Sequence, residues 1–252
     1  MAAPVVSQSW AQFDPADYLN EYYGDIGSEN LALLRFLAET SQDSPEGGRL
    51  LDFGGGPTIY TLISAAARVD EIHFADYLDA NLDEVRRWIH GDPAAFDWSN
   101  FIRQALELES GLPATQAQIE ARAKQIRERV TRLAPCDASR MPPSECPDGL
   151  YDVLQTHFCA ESATSDRWQW QAYMSNIISL LKPGGRLVMS ALRWFPAVAI
   201  FEDDLIELLE ENGFPRKTIE VRCVPADRPT RDYKGLMLAV AQKGPDEAEG
   251  GC

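Results

Sequence analysis

Basic residues are scarce. The 252-residue chain carries 23 Lys and Arg against 39 Asp and Glu, a formal net charge of −16. Such a field repels nucleic acid, whose binding needs phosphate-neutralising side chains. The acidity serves solubility first, and it favours a cationic small substrate over an anionic one. Long apolar runs are absent: none approaches the ~18 residues of a membrane helix. The opening "MAAPVVSQSWAQFDP" has no basic head and no sustained apolar core, so no secretory signal is expected. Cysteine is sparse: the five residues, Cys136, Cys146, Cys159, Cys223 and Cys252, form no CxxC pair. That excludes a disulfide framework and a zinc site, and it points to reduced thiols in the cytoplasm. Histidine is sparse too; His73 falls inside a strand and His90 at the end of a surface helix, so no metal is expected.

What is present is apolar residue in quantity, 45% of the chain, enough for one well-buried domain and too little length for two. "FDPADYLNEYY" opens with Asp14 as an N-cap and Pro15 in the first turn, and predicts a helix to Tyr23. "SENLALLRFLAETS" predicts a second helix, capped by Ser28. Strand and helix then alternate. "GGRLLDF" and "EIHFAD" read as strands, "PTIYTLISAAA" as a helix opening at Pro57, and "LDANLDEVRRWI" as an amphipathic helix. Residues 92–132 are less regular, with "TQAQIEARAKQIRERV" a polar helix on the surface or over a cleft. "RVTRLAPCDAS" holds a third strand and "MPPSECPDG" a loop. "YDVLQTHF", "DRWQWQAYMSNIISLL", "GRLVMSAL" and "EDDLIELLEENGF" resume the alternation, the last stopped by Gly213. "KTIEVRCVP" and "YKGLMLAVAQK" close as an antiparallel pair, followed by a disordered tail over 245–252. The alternation predicts parallel βαβ units.

Ligands of open α/β sheets bind beyond the carboxyl ends of the strands. "DFGGGPT" stands there after the first strand, where Gly54 and Gly56 permit a tight turn and close approach. The following helix would turn its amides to the ligand. Asp76 ends the second strand about twenty residues on, the spacing at which an acid reaches a ribose hydroxyl pair; it could instead cap the next helix. These features fit a dinucleotide and an S-adenosylmethionine site equally.

"LLKPGGRLVM" separates the two, because a helix ended by Lys182-Pro183-Gly184-Gly185 before an apolar strand resembles many class I methyltransferases. Together with "FDPADYLNEYY", "LLDFGGGPTIYTLISA", "ADYLDANLDEVRRWI", "DPAAFDWS" and "DYKGLMLAVAQK", in that order, it resembles one family. These are the small-molecule amine methyltransferases: nicotinamide, phenylethanolamine and indolethylamine N-methyltransferases and a thioether S-methyltransferase. The resemblance covers nearly the whole chain. It implies a Rossmann-like α/β fold with a mostly parallel seven-stranded sheet, helices on both faces, an antiparallel C-terminal strand and an N-terminal helical lid over 1–45. It further implies a monomeric, cytoplasmic enzyme that uses S-adenosylmethionine on a small-molecule amine, with no nucleic-acid or membrane partner. An S- or O-methyltransferase, or a non-catalytic cofactor-binding relative, is the alternative.

The resemblance also implies roles. Tyr18 and Tyr23 would close over cofactor and substrate. Gly54, Gly56 and Tyr60 would lie beside the cofactor's amino-acid portion, and Asn81 would bond its carboxylate end. Asp76 would hold both ribose hydroxyls, with Tyr77 stacked near the adenine and Asp137 and Ala138 at its edge. Thr156 and His157 would line the cofactor after the fourth strand. Methyl transfer from a sulfonium needs positioning and exclusion of water rather than a metal or covalent nucleophile. Glu161, in "HFCAES", would hold the substrate amine and accept its proton. After the fifth strand the relatives carry a longer, substrate-covering hairpin. Here "SALRWFPAVAIFEDDLIELL" is shorter, with Arg193, Trp194 and Phe195 in place of the relatives' polar and tyrosine contacts, so that either the pocket is more open or Trp194 fills the gap. Asp232 falls one place from an amine-binding acid of the phenylethanolamine enzyme.

Overall fold

The computed structural model describes residues 10–143, 150–194, 198–227 and 232–245. The expected tail from residue 246, part of the "MPPSECPDG" loop, and Phe195, Cys146 and Cys252 lie outside them. A single 3-10 turn leads into α1 (Pro15–Tyr23), whose first amides donate to Asp14 Oδ1, with Ala16 N at 2.8 Å. Helix α2 (Ser28–Gln42) begins one residue earlier than a Ser28 cap requires. Its cap position is Gly27, and no side chain caps it.

Strands β1 (Arg49–Phe53), β2 (Glu71–Asp76), β3 (Val130–Pro135), β4 (Tyr151–His157), β5 (Leu181–Arg193), β6 (Glu220–Pro225) and β7 (Gly235–Gln242) form one sheet in the order β3-β2-β1-β4-β5-β7-β6. The pairs from β3 to β5 are parallel; β7 runs antiparallel to both β5 and β6. The Lys182–Gly185 turn is absorbed into β5 as a bulge. The register jumps from Leu181 opposite Tyr151 to Arg186 opposite Val153, with Gly184 at φ 72°.

Alternate strand residues feed two cores, one on each face, as the period of a strand dictates. Leu50, Ile72, Phe74, Val188 and Leu238 pack under α1, α2, α4 (Asp79–Ile89), α5 (Ser99–Ser110) and α6 (Gln116–Arg129). Leu51, Phe53, Leu154, Met189 and Met237 pack under α8 (Arg167–Ile178) and α9 (Glu202–Glu211). Helix α5 has no counterpart in the sequence reading; its buried residues Phe101, Ile102 and Ala105 cover little more than one turn. Helix α6 covers no cleft. It packs on α5, where Arg122 meets Glu109 at 2.8 Å, and on α4, where Arg127 lies 4.5 Å over the Trp88 ring. No helix among the described residues is long and apolar enough to cross a membrane.

Candidate active site

A cavity of about 660 Å³ opens beyond the carboxyl ends of β1 to β4. That is the crevice where open α/β sheets take ligands, and the volume is of the size, roughly 300–1,000 Å³, that small molecules occupy. Its floor is the glycine turn after β1. Gly54 has φ 72°, and a Cβ on it would lie 2.2 Å from the Cys159 sulfur. Gly56 has φ 64° with open space where a Cβ would point, so only its backbone conformation demands glycine. The helix expected from Pro57 is delayed to α3 (Leu62–Ala65). The Thr58 hydroxyl donates to Gly55 O at 2.8 Å and the Thr61 hydroxyl to the Asp52 carboxylate, which holds the chain in turns. Four residues of helix present no N-terminal field to a ligand, so that expectation is withdrawn.

Asp76 ends β2 facing the cavity, with 6% exposure. Its Oδ2 accepts from Gly56 N at 2.8 Å. Its Oδ1 accepts from Leu78 N at 2.9 Å and Asn81 Nδ2 at 2.8 Å. Burial raises this carboxyl above the usual range while those hydrogen bonds pull it back. Asn81 is thus tied to Asp76 at the β2 end through Nδ2, and its Oδ1 is buried without a partner. Tyr77, 63% exposed, forms the rim beside it. Asp137 and Ala138 line the wall after β3. Burial raises Asp137, but hydrogen bonds from Ser139 and Arg140 outweigh it and lower its pKa. The Ala138 carbonyl accepts from Asn176 Nδ2 at 2.9 Å.

Aromatic rings roof the cavity. Tyr23 stacks on Tyr60 at 5.3 Å, and Tyr18 lies 5.9 Å from Tyr23. Burial pushes Tyr18 up to about 12, and Tyr23 and Tyr60 well above the ordinary phenol range. All three stay neutral at physiological pH. His157 lines the wall after β4; its Nδ1 pairs with Ser190 Oγ at 2.7 Å and its Nε2 has no partner. Burial pushes it down to about 3, so it is a neutral ring and not a proton carrier near pH 7. Thr156, one residue earlier, is buried and is not part of the cavity lining.

Two expected substrate contacts lie elsewhere. Glu161, in the single turn α7 (Ala160–Ala163), does not line the cavity. Its Oε1 accepts from Leu192 N at 2.8 Å, so the side chain supports the end of β5 from inside the protein. Burial pushes it up to about 7. Trp194 does not line the cavity either; it turns out of β5 at φ 53° and its ring lies 4.7 Å under the Lys234 ammonium. Asp232 does line the cavity.

Sequence reasoning missed three acids here. Asp52 lies wholly buried under the glycine turn, pushed up to about 7 by burial, with Oδ1 unpartnered. An acid inside an apolar strand was its signal. Glu29 and Asp227 face the cavity from opposite ends of the chain, and nothing in their local sequence marked them.

Comparison with known proteins follows this geometry. Residues 5–244 match the NNMT/PNMT/TEMT family. The phenylethanolamine N-methyltransferase of Macaca mulatta is 32% identical over 94% of this chain and 91% of its own length. The nicotinamide N-methyltransferase of Homo sapiens is 32% identical over 92% and 94%. The indolethylamine N-methyltransferase of Mus musculus is likewise 32% identical, over 93% and 94%. The fold is shared with the N-methyltransferase NodS of Bradyrhizobium japonicum at a TM-score of 0.58 and 13% identity, covering 92% of this chain and 99% of that one. Magnesium protoporphyrin IX methyltransferase of Synechocystis gives 0.55 and 15%, covering 93% and 100%. With nearly its whole length matched, and with the cavity at the carboxyl edge of this sheet, the chain belongs to the NNMT/PNMT/TEMT family.

Proposed function

We propose that this protein is an S-adenosylmethionine-dependent methyltransferase acting on a small-molecule amine; its relatives are named for N-methylation of phenylethanolamine, indolethylamine and nicotinamide, and the structural neighbour NodS is described in complex with S-adenosylhomocysteine. The observation that carries the reading is Asp76, fixed by three N–H donors at the end of β2 with its carboxylate toward the cavity. The residues fit the cofactor. Unpartnered, buried polar atoms of Asn81 and His157 belong to cavity-lining residues, as expected of a wall made to hydrogen-bond a ligand.

When bound, S-adenosylmethionine supplies a methyl group already activated on a sulfonium. Asp76 accepts the ribose hydroxyls, and Asn81 assists it from the same side. Tyr77, Asp137 and Ala138 hold the adenine. Gly54, Gly56 and Tyr60 pass the amino-acid portion, with Tyr18 and Tyr23 closing above. His157 forms a neutral wall and Thr156 supports it from behind. In this single domain, α1 and α2 would act as the lid over the cavity, excluding water around a bound amine. The protein works as a cytoplasmic monomer without nucleic-acid or membrane partners, which gel filtration and fractionation check; its net charge of −16 speaks only against nucleic acid.

Calorimetry with S-adenosylhomocysteine tests the cofactor assignment. Binding in the micromolar range is expected. Asp76→Ala weakens it about a hundredfold, because charged hydrogen bonds to two hydroxyls are lost. No heat at high micromolar ligand ends the reading.

A further inference from the structure

Glu29 is the second residue of α2, is 8% exposed and faces the cavity. The Tyr233 hydroxyl donates to its Oε2 at 2.9 Å, while its Oε1 is buried without a partner. A carboxylate oxygen in that position is costly unless a cation or donor joins it. Asp227 reaches the same place from the loop after β6. A Cβ on Gly27 would lie 2.9 Å from Asp227 Oδ2, so glycine at the start of α2 is what admits this second carboxylate.

Helix capping is the ordinary reason for acids at such a place, and it does not account for this one. No side chain caps α2, and the amide that reaches the Glu29 carboxyl is that of Asp227 in the facing loop rather than one of the helix, with Oε1 left unpartnered. Among the described residues the cavity lining holds no counter-charge. Glu21, Asp25 and Asp232 also line the cavity, and no Lys or Arg lines it among the described residues. The basic groups where β5 meets β7 are engaged outside: Arg193 pairs with Glu202 at 2.9 Å, and Lys234 sits over Trp194. Burial pushes the Glu29 carboxyl upward, and the charge of Asp227 adds to that against the Tyr233 hydrogen bond.

We infer that Glu29 and Asp227 form the acceptor anchor, an anionic pair at the lid end of the cavity that takes the ammonium group of a primary or secondary amine. The inference rests on the methyltransferase reading of the cavity. It gives the amine-holding role to these two residues in place of Glu161. It also excludes carboxylate- or phosphate-bearing acceptors, and it sets amines that are cationic at neutral pH above neutral thioethers, phenols and carboxamides.

The test uses the full chain loaded with S-adenosylhomocysteine, as wild type, Glu29→Gln and Asp227→Asn. Each is titrated calorimetrically with phenylethanolamine, N-methylphenylethylamine and putrescine, and with neutral nicotinamide. The wild type is expected to take at least one of the cations, Glu29→Gln to weaken it about tenfold or more, since a buried partner of a charge is removed, and Asp227→Asn, whose carboxylate is exposed, to weaken it about threefold. S-adenosylhomocysteine affinity and any nicotinamide binding should not move. Unchanged cation binding in both variants overturns the inference, as does a loaded wild type that takes none of the cations. A wild type that binds no S-adenosylhomocysteine sinks the methyltransferase reading, and the anchor with it. Should Glu29→Gln fail to fold, the exposed Asp227→Asn carries the comparison.

Discussion

Glu161 and Asp76 are both buried carboxylates, and what reaches their oxygens separates their roles. Asp76 has three N–H donors and a cavity in front of it. Glu161 has the Leu192 amide and no cavity. Burial moves Glu161 from 4.5 to about 7. Between those values the folded protein holds a proton that the unfolded chain has released. Stability therefore falls as pH rises through this window, on the order of 3 kcal/mol from this group. Urea unfolding at about pH 5 and about pH 8 should show the drop. Glu161→Gln should reduce the drop without abolishing it, since buried Asp52, also pushed up to about 7, loses stability over the same window, and should leave the acceptor KM within about twofold, because Glu161 does not line the cavity. A pH slope equal to wild type, or a large KM rise, would refute this placement. The places of Gly54, Gly56 and Asp76 in the cavity wall were legible from the glycine turn and the spacing to the acid, and those of Tyr18 and Tyr60 from the resemblance. The aim of Glu161 was not, because a single helical turn such as α7 can point a side chain into the cleft or into the wall. Glu29 was invisible for another reason: its partner Tyr233 lies 204 residues away along the chain.

Local rules served well where an element carries its own stop and start signals. Helix α6 does so through a capping box: Gln118 N donates to the Thr115 hydroxyl at 3.3 Å, and Thr115 N donates to Gln118 Oε1 at 2.8 Å. Thr115→Ala should cost about 1 kcal/mol. A thermal melt should show the lowered Tm, and calorimetry should show unaltered S-adenosylhomocysteine affinity, as α6 contributes nothing to the cavity wall. Loss of cofactor binding in this variant would mean that α6 is coupled to the site. Helix α4 was legible from its amphipathic pattern. The start of α3 was not, because threonine hydroxyls at 58 and 61 hold the preceding residues in turns. Helix α5 escaped because its core contacts are tertiary. Trp98 at its head is buried against Phe101, 5.2 Å between rings, and against Tyr23 at 5.4 Å, a cluster formed only once α1 arrives.

At the scale of the molecule, the net charge of −16 and a cavity without lysine or arginine among the described residues act together. The field attracts a cation over a range set by the Debye length, about 8 Å at physiological salt. For a cationic acceptor, kcat/KM should fall severalfold as sodium chloride rises from about 0.05 to about 0.5 M, and cofactor affinity should change less. A flat salt profile would assign the acidity to solubility alone. The alternation of strands and helices was legible along the chain, but the strand order was not. No local signal says that β7 inserts between β5 and β6. The cavity is also divided by ancestry of contact. The middle of the chain, through the ends of β1 to β4, supplies one side, while Glu29, Asp227 and Asp232 arrive from its two extremities. Substitutions at Glu29, Asp227 and Asp232, unlike ones at Tyr18 and Tyr23 of the same extremity, leave the glycine turn and Asp76 undisturbed. The far ends of the chain thus offer places where an acceptor preference could be rewritten with the donor-side turn left as it is.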